Sequence, residues 1–268
     1  MADDKSKQVT YTSYLKVREL IALQEVQSQP AAQDEMLFIV VHQAYELWFK
    51  QVLHDMSFLI KALEKDDLVV PTRLMDRVCE IFRLIIHQIE ILETMTPVSF
   101  NQFRSRLNPA SGFQSFQFRE LELLSGMDIK EYQALFALSP EWKYLLEEKS
   151  DRVSLREAFF RYLERNKLLP NRDEASIAKA LTIIYSEDRS HLQLQDFCER
   201  LIRYDEQFWL WRFRHVQMVE RMIGRKPGTG GSLGANYLHS TLKKRFFNEL
   251  WELRTNLGAG IQYGVPSQ

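Results

Sequence analysis

Read for the spacing of its apolar positions, the chain is helical almost throughout. Residues 34–64 are apolar around most of a helical circumference (Met36 to Val41, then Leu47, Trp48, Phe49, Val52 and Leu53), the mark of a central helix. Residues 71–95 carry Leu74, Val78, Ile81, Ile85, Ile89 and Leu92 at the three- and four-residue spacing that keeps side chains on one face. A third long helix ends near Gly224. Turned at about 100° per residue, one of its faces collects Phe197, Leu201, Tyr204, Phe208, Trp211, His215, Met218, Val219 and Met222, while Arg203, Glu206, Glu220 and Arg221 point elsewhere. Shorter helices are expected over 129–138, 141–148, 155–165 and 174–185, as a peripheral excursion on the main bundle. A last helix over 237–257 packs Leu238, Leu242, Phe246, Leu250 and Leu253. The sequence has no clean alternating run and no Asn-Gly hairpin turn. Pro30, Pro71, Pro97, Pro109, Pro140, Pro170 and Pro227 fall at or near breaks in the helical period. The expected fold is all-α, one domain over residues 1–268, with long central helices and shorter peripheral ones.

Two histidines interrupt this pattern. His215 stands in the middle of the third helix's apolar stripe, where an unpaired imidazole would cost about 1–3 kcal/mol. Its partner is another side chain, a backbone carbonyl or a metal. His42 lies at a border of the first long helix, with Phe38, Tyr45, Phe49 and Leu53 on one side and Glu46 and Lys50 on the other. Such a position lines a cleft or marks a surface edge. His87, among Glu80, Arg83 and Glu90, and His54, near Lys50 and Lys61, read as solvated. His191 and His239 show no partner pattern. The Ser111-Gly112 pair reads as an N-cap for the apolar run that follows it.

Composition narrows the function further. The 268 residues are 45% hydrophobic and 26% charged, enough for a sizeable core, and the net charge of −1 gives no reason to expect nucleic acid as a partner. An aromatic content of 12% suits a pocketed core that holds something flat. Cys79 and Cys198 both lie inside helical patterns and read as free core thiols in a reducing compartment. The N-terminal residues are polar, and no apolar run approaches the roughly 18–20 residues that span a bilayer. The expectation is a soluble, cytoplasmic protein with no membrane association.

The glycine-rich stretch Gly228-Thr-Gly-Gly-Ser-Leu-Gly234 lacks the Gly-Lys-Ser/Thr ending of a P-loop and follows a helix where a dinucleotide fingerprint would follow a strand. It reads as a plain turn or as a loop that closes over a small ligand, with Thr229 as a contact. No thiolate or carboxylate cluster has metal-ligand spacing. The residues alone lead to an all-helical protein with an aromatic cleft, two conspicuous histidines, and Arg104 and Thr229 as polar anchors.

Four motifs together carry a resemblance. They are His42-Gln-Ala-Tyr-Glu-Leu-Trp-Phe-Lys50, Phe103-Arg104 with Pro109-Ala-Ser-Gly-Phe-Gln-Ser115, Trp211-Arg-Phe-Arg-His215, and Gly228-Thr-Gly-Gly-Ser232. In this order, spread from about Tyr11 to Leu257, they resemble the tryptophan 2,3-dioxygenase family. The resemblance implies a homotetrameric all-α protein that uses haem b, with ferrous iron in the active state, to open the indole ring of L-tryptophan with O2 to N-formylkynurenine. His215 then resembles the axial iron ligand, and His42 the distal histidine that bonds the indole N–H. Arg104 resembles the arginine gripping the substrate carboxylate, and Thr229 the residue meeting the ammonium group. Phe38 and Phe100 resemble indole-pocket positions, and Ser111 and Gly112 positions beside the haem. Tyr11, Tyr14 and Leu15 resemble an N-terminal segment, residues 8–20, that contacts a neighbouring subunit and completes its pocket.

One stretch departs from the family pattern. Leu233 stands where the family loop usually has a second serine, and Ala235 and Asn236 are also unusual. The alternative this leaves open is a related haem monooxygenase that oxidises a substituted tryptophan or indole, such as β-methyltryptophan to an oxindole.

Overall fold

The computed structural model describes residues 9–132, 146–186, 189–224, 226 and 235–257. In chain order it runs α1 (Tyr11–Leu15), α2 (Val17–Leu20), α3 (Gln33–Leu63), α4 (Val69–Leu92), α5 (Pro97–Phe103), α6 (Phe116–Ser125), α7 (Leu155–Arg165), α8 (Glu174–Ile184), α9 (Leu192–Ile223), α10 (Ala235–Thr241) and α11 (Asn248–Asn256). Single 3-10 turns sit at Arg104–Leu107, Gly112–Gln114 and Ile129–Tyr132, and residues 146–150 are helical. The described residues contain no strand, and none of their helices is long and apolar enough to cross a membrane.

Helix α4 lies between α3 and α9 and packs along both. Its stripe of Leu74, Val78, Ile81, Ile85, Ile89 and Leu92 is buried, joined by Met75, Cys79 and Phe82. Polar pins then fix how α3 and α4 slide against each other. Tyr45 donates its hydroxyl to the Ile85 carbonyl at 2.9 Å, Gln88 Nε2 donates to Val41 O at 2.8 Å, and Arg77 forks onto the buried Asp55 carboxylate. Each such bond nets only about 0.5–1.5 kcal/mol, so area sets the stability and the pins set the register. Cys79 and Cys198 are buried free thiols.

Several sequence expectations change. The outer face of α3 is not covered by the described chain: Met36, Val40 and Leu47 remain exposed, so its apolar character does not make it central on all sides. Helices α7 and α8 belong to the main core and are not a peripheral excursion. Leu155, Ala158, Phe159 and Leu163 of α7 are at most 1% exposed, in one cluster with α3, α4 and α9. The residues of the expected 129–138 helix that are described form only a 3-10 turn, and 133–145 lie outside the described residues. The N-cap of α6 is Ser115, whose Oγ accepts the Phe118 N–H; Ser111 and Gly112 come before it.

The expected single helix over 237–257 is two helices, α10 and α11. Its break is made by side chains from α9. The buried Asp205 carboxylate accepts the backbone N–H groups of Phe246 (3.1 Å) and Phe247 (3.2 Å) and the indole N–H of Trp251 (3.1 Å). Arg212 donates to the Lys244 carbonyl at 3.0 Å, and Trp209 donates to the Leu242 carbonyl at 2.9 Å. The turn's backbone groups therefore find partners that a continuing helix would have supplied. Burial raises the Asp205 pKa, and the N–H donors and Arg212 oppose that rise. Asp205→Ala leaves several donors unsatisfied and is expected to cost about 3 kcal/mol in urea unfolding, against about 0.5 or less for the exposed Glu206→Ala. A loss at Asp205 no larger than at Glu206 would remove this explanation of the break.

Candidate active site

Helices α3, α5, α6, α9 and α10 and the segment from Arg104 to Ser115 enclose one cavity. About 250 Å3 of it is open to the centre of a water molecule. A single water needs only about 10–15 Å3 by that measure, so the space takes a ligand many times larger than a water. Its walls are mostly aromatic and aliphatic, with Phe38, Phe49, Phe100, Phe118, Trp211, Met218, Val219 and Met222 among them.

Helix α3 presents His42 to this space. Its Nδ1 lies 2.7 Å from the Phe38 carbonyl oxygen one turn back. A carbonyl only accepts, so Nδ1 carries the proton and Nε2 keeps a lone pair. Burial pulls the His42 pKa down, and the Phe38 carbonyl and Glu46 resist without reversing the shift. The ring is therefore a neutral acceptor at pH 7. Phe38 lies against it, centroids 4.1 Å apart, and Phe100 and Phe103 extend the same aromatic wall.

His215 enters from α9. Its ring stacks almost parallel on Trp211 (5.1 Å between centroids, 8° between planes). Burial first, then repulsion from His42 and Arg119, pulls its pKa to about 4, so it too is neutral at pH 7. Neither ring nitrogen has a hydrogen-bond partner among the described residues. The partner expected for this histidine is not a neighbouring side chain or carbonyl there.

Charge is concentrated on the wall beside it. Glu122 receives Arg119 Nη1 at 2.6 Å and Arg212 Nη2 at 2.8 Å, and all three side chains are buried. Arg104, at the end of α5, lines the cavity as a further cation, and Ser111 and Gly112 line it between α5 and α6. A Cβ built on Gly112 would meet no atom within 4 Å, so its bare backbone faces open space.

The cavity thus gathers Phe38, His42, Phe100, Arg104, Ser111, Gly112 and His215. Tyr11, Tyr14 and Leu15 do not reach it; they form α1 and are 77%, 75% and 45% exposed. Thr229 and Leu233 lie outside the described residues. Among the remaining histidines, His87 and His54 are exposed, while His239 does have a partner, Glu220 Oε1 at 2.8 Å.

The family model for tryptophan 2,3-dioxygenase matches residues 2–166 and 161–257. The chain belongs to the tryptophan 2,3-dioxygenase family. Among its relatives, a tryptophan 2,3-dioxygenase of Herpetosiphon aurantiacus is 44% identical over 261 residues, covering 94% of this chain and 100% of that protein. One from Nocardioides sp. is 42% identical, covering 95% and 97%, and one from Myxococcus xanthus is 37% identical, covering 95% and 91%.

The residues of this family member suit a haem. The described residues hold no group of three or more His, Cys, Asp or Glu that would cage a bare ion. They hold instead a single unpartnered imidazole in an apolar wall, which is what a metal carried by its own macrocycle needs from the protein. Trp211 Nε1 and Arg212 Nε are buried on that wall without a hydrogen-bond partner among the described residues.

Glu46, Arg119, Glu122 and Arg212 also line the cavity; the sequence marked Glu46 only as a neighbour of His42 and Arg212 only as part of a motif, and gave neither a role. Charged residues default to the surface in any pattern reading. The available signals were slight: Arg119 and Glu122 are an i,i+3 pair, and Arg212 lies three residues before His215 on the same face.

Proposed function

We propose that this chain opens the indole ring of L-tryptophan with O2, giving N-formylkynurenine, as a haem-dependent dioxygenase. What carries this reading is the joint presence, in one cavity, of a neutral imidazole acceptor (His42), a guanidinium (Arg104) and an imidazole with no hydrogen-bond partner among the described residues (His215). His215 would ligate the iron, with Trp211, Met218, Val219 and Met222 around it and Ser111 and Gly112 beside the macrocycle. When bound, ferrous haem b supplies the binding and activation of O2.

The chain's own residues hold the substrate and keep water out. His42 Nε2 accepts the indole N–H, which a protonated imidazole would not do. Phe38 and Phe100 flank the indole with aromatic faces. Arg104 meets the carboxylate with two parallel hydrogen bonds, and Thr229 takes the ammonium group. Tyr11, Tyr14 and Leu15 complete a neighbour's cavity in a homotetramer, which accounts for their exposure here. The balance of the reaction is simple: the indole C2–C3 bond breaks and both atoms of O2 remain in the product as the formyl and ketone oxygens.

The test is product mass spectrometry with haem-loaded protein, L-tryptophan and 18O2. Two labelled atoms in a ring-opened product are expected. One labelled atom in a ring-intact oxindole, or no consumption of O2 above a tryptophan-free control, would overturn the proposal.

A further inference from the structure

Glu46 lies one helical turn beyond His42 on α3, and its carboxylate binds the start of a different helix. Ser115 Oγ donates to Glu46 Oε1 at 2.6 Å; Gln117 Nε2 donates to Oε2 at 2.9 Å and to the Glu46 backbone carbonyl at 2.8 Å. The same Ser115 Oγ caps α6. Hydrogen bonds to an ionised acceptor are shorter and about twice as strong as neutral ones, so this clamp is firmer than an ordinary helix contact.

The segment that the clamp terminates needs it. Between Arg104 and Gln114 no described side chain is fully buried, and Leu107 is the one apolar side chain of the stretch packed against the core among the described residues. Its ends are held by the fully buried Phe103 on one side and by Ser115 on the other. Arg104, Ser111 and Gly112 all lie between those two points and face the cavity.

We infer that Glu46 is a positioning residue for two-point substrate recognition: through Ser115 and Gln117 it sets the distance between His42, on its own helix, and the segment that carries Arg104. This rests on the proposed roles of His42 and Arg104. A ligand gripped at both its indole N–H and its carboxylate feels that distance. A ligand gripped only at the N–H does not.

Glu46→Gln keeps the size of the side chain and one carbonyl acceptor, but removes the charge and the second acceptor. Calorimetric titration of the haem-loaded protein with L-tryptophan and with 3-methylindole, which has no carboxylate, separates the cases. The variant should keep its haem content and melting temperature, bind L-tryptophan about tenfold more weakly, and bind 3-methylindole within about twofold of wild type. Gln117→Ala, which removes the two hydrogen bonds from Nε2 and leaves the charge and the Ser115 bond, should show the same selectivity and stands in if Glu46→Gln does not fold. Unchanged L-tryptophan affinity, or equal weakening of both ligands, would overturn the inference. Wild-type protein that binds neither ligand would overturn the proposed substrate along with it.

Discussion

Replacing His215 by alanine is expected to produce a folded protein that no longer holds haem. The imidazole stands half-buried on an apolar stripe of α9, neutral because burial pulls its pKa to about 4, and has no hydrogen-bond partner among the described residues. An unpartnered polar group of that kind costs about 1–3 kcal/mol, a cost that ligation of iron removes. Two opposite effects should therefore follow. Without haem, His215→Ala should be as stable as the wild-type apoprotein to within about 1 kcal/mol, since it breaks no hydrogen bond among the described residues and the lost stacking on Trp211 is offset by removing an unpartnered imidazole. With haem supplied, wild type should gain stability by mass action and the variant should not. Oxygenase activity should drop by about a thousandfold or more, with partial return on adding free imidazole. His87→Ala, at a side chain 81% exposed, should change neither haem content nor turnover. An unaltered ferrous absorption spectrum in His215→Ala would remove the assignment.

The second large effect is expected at Arg104. Replacement by leucine should lower kcat/KM for L-tryptophan by about 2–5 kcal/mol, the range for stripping one partner from a buried charge pair. That is roughly 30-fold to several thousandfold. The loss should be selective, because 3-methylindole has no carboxylate for the guanidinium to hold and keeps its N–H for His42. Arg119 and Arg212 are already engaged with Glu122 and do not replace the planar fork that fixes the carboxylate's angle. Equal losses for the two compounds would mean that Arg104 serves the fold of the segment it begins.

How much of this was legible in the sequence depends on whether the cause lies nearby in the chain. The stripes of α4 and α9 and the span of α7 follow from local spacing, and the structure places them with small changes at the ends. The break between α10 and α11 does not. Its cause is Asp205 and Arg212, some thirty to forty residues upstream, and the apolar period runs through the break although α11 buries Leu250 and Leu253 in the core while Leu238 of α10 faces the cavity. The same limit applied to α7: a period tells which face is apolar, not what covers it. For the site, spacing alone stopped at two unusual histidines. It took the four motifs to link His42, Arg104, Ser111, Gly112 and His215, and the structure then placed them around one cavity. Arg119 and Glu122 could not be found that way, since their burial depends on partners that only folding brings together, and Glu46, though inside the first motif, showed its partners Ser115 and Gln117 only in the fold.

The α10–α11 turn also decides where this polypeptide tolerates cutting. Shortening the chain anywhere ahead of Trp251 would not trim a loose tail. It would withdraw the Trp251 indole N–H, and ahead of Phe246 the Phe246 and Phe247 N–H groups too, from a carboxylate buried on the very helix that bears His215. Removing the Thr241–Lys244 stretch would take carbonyl acceptors from Arg212 as well, and a cavity wall with them. Anyone engineering a minimal version, a split pair or an internal fusion should place the seam elsewhere, because residues 241 to 251 act as the rivet between the end of the chain and the helix at the heart of the site.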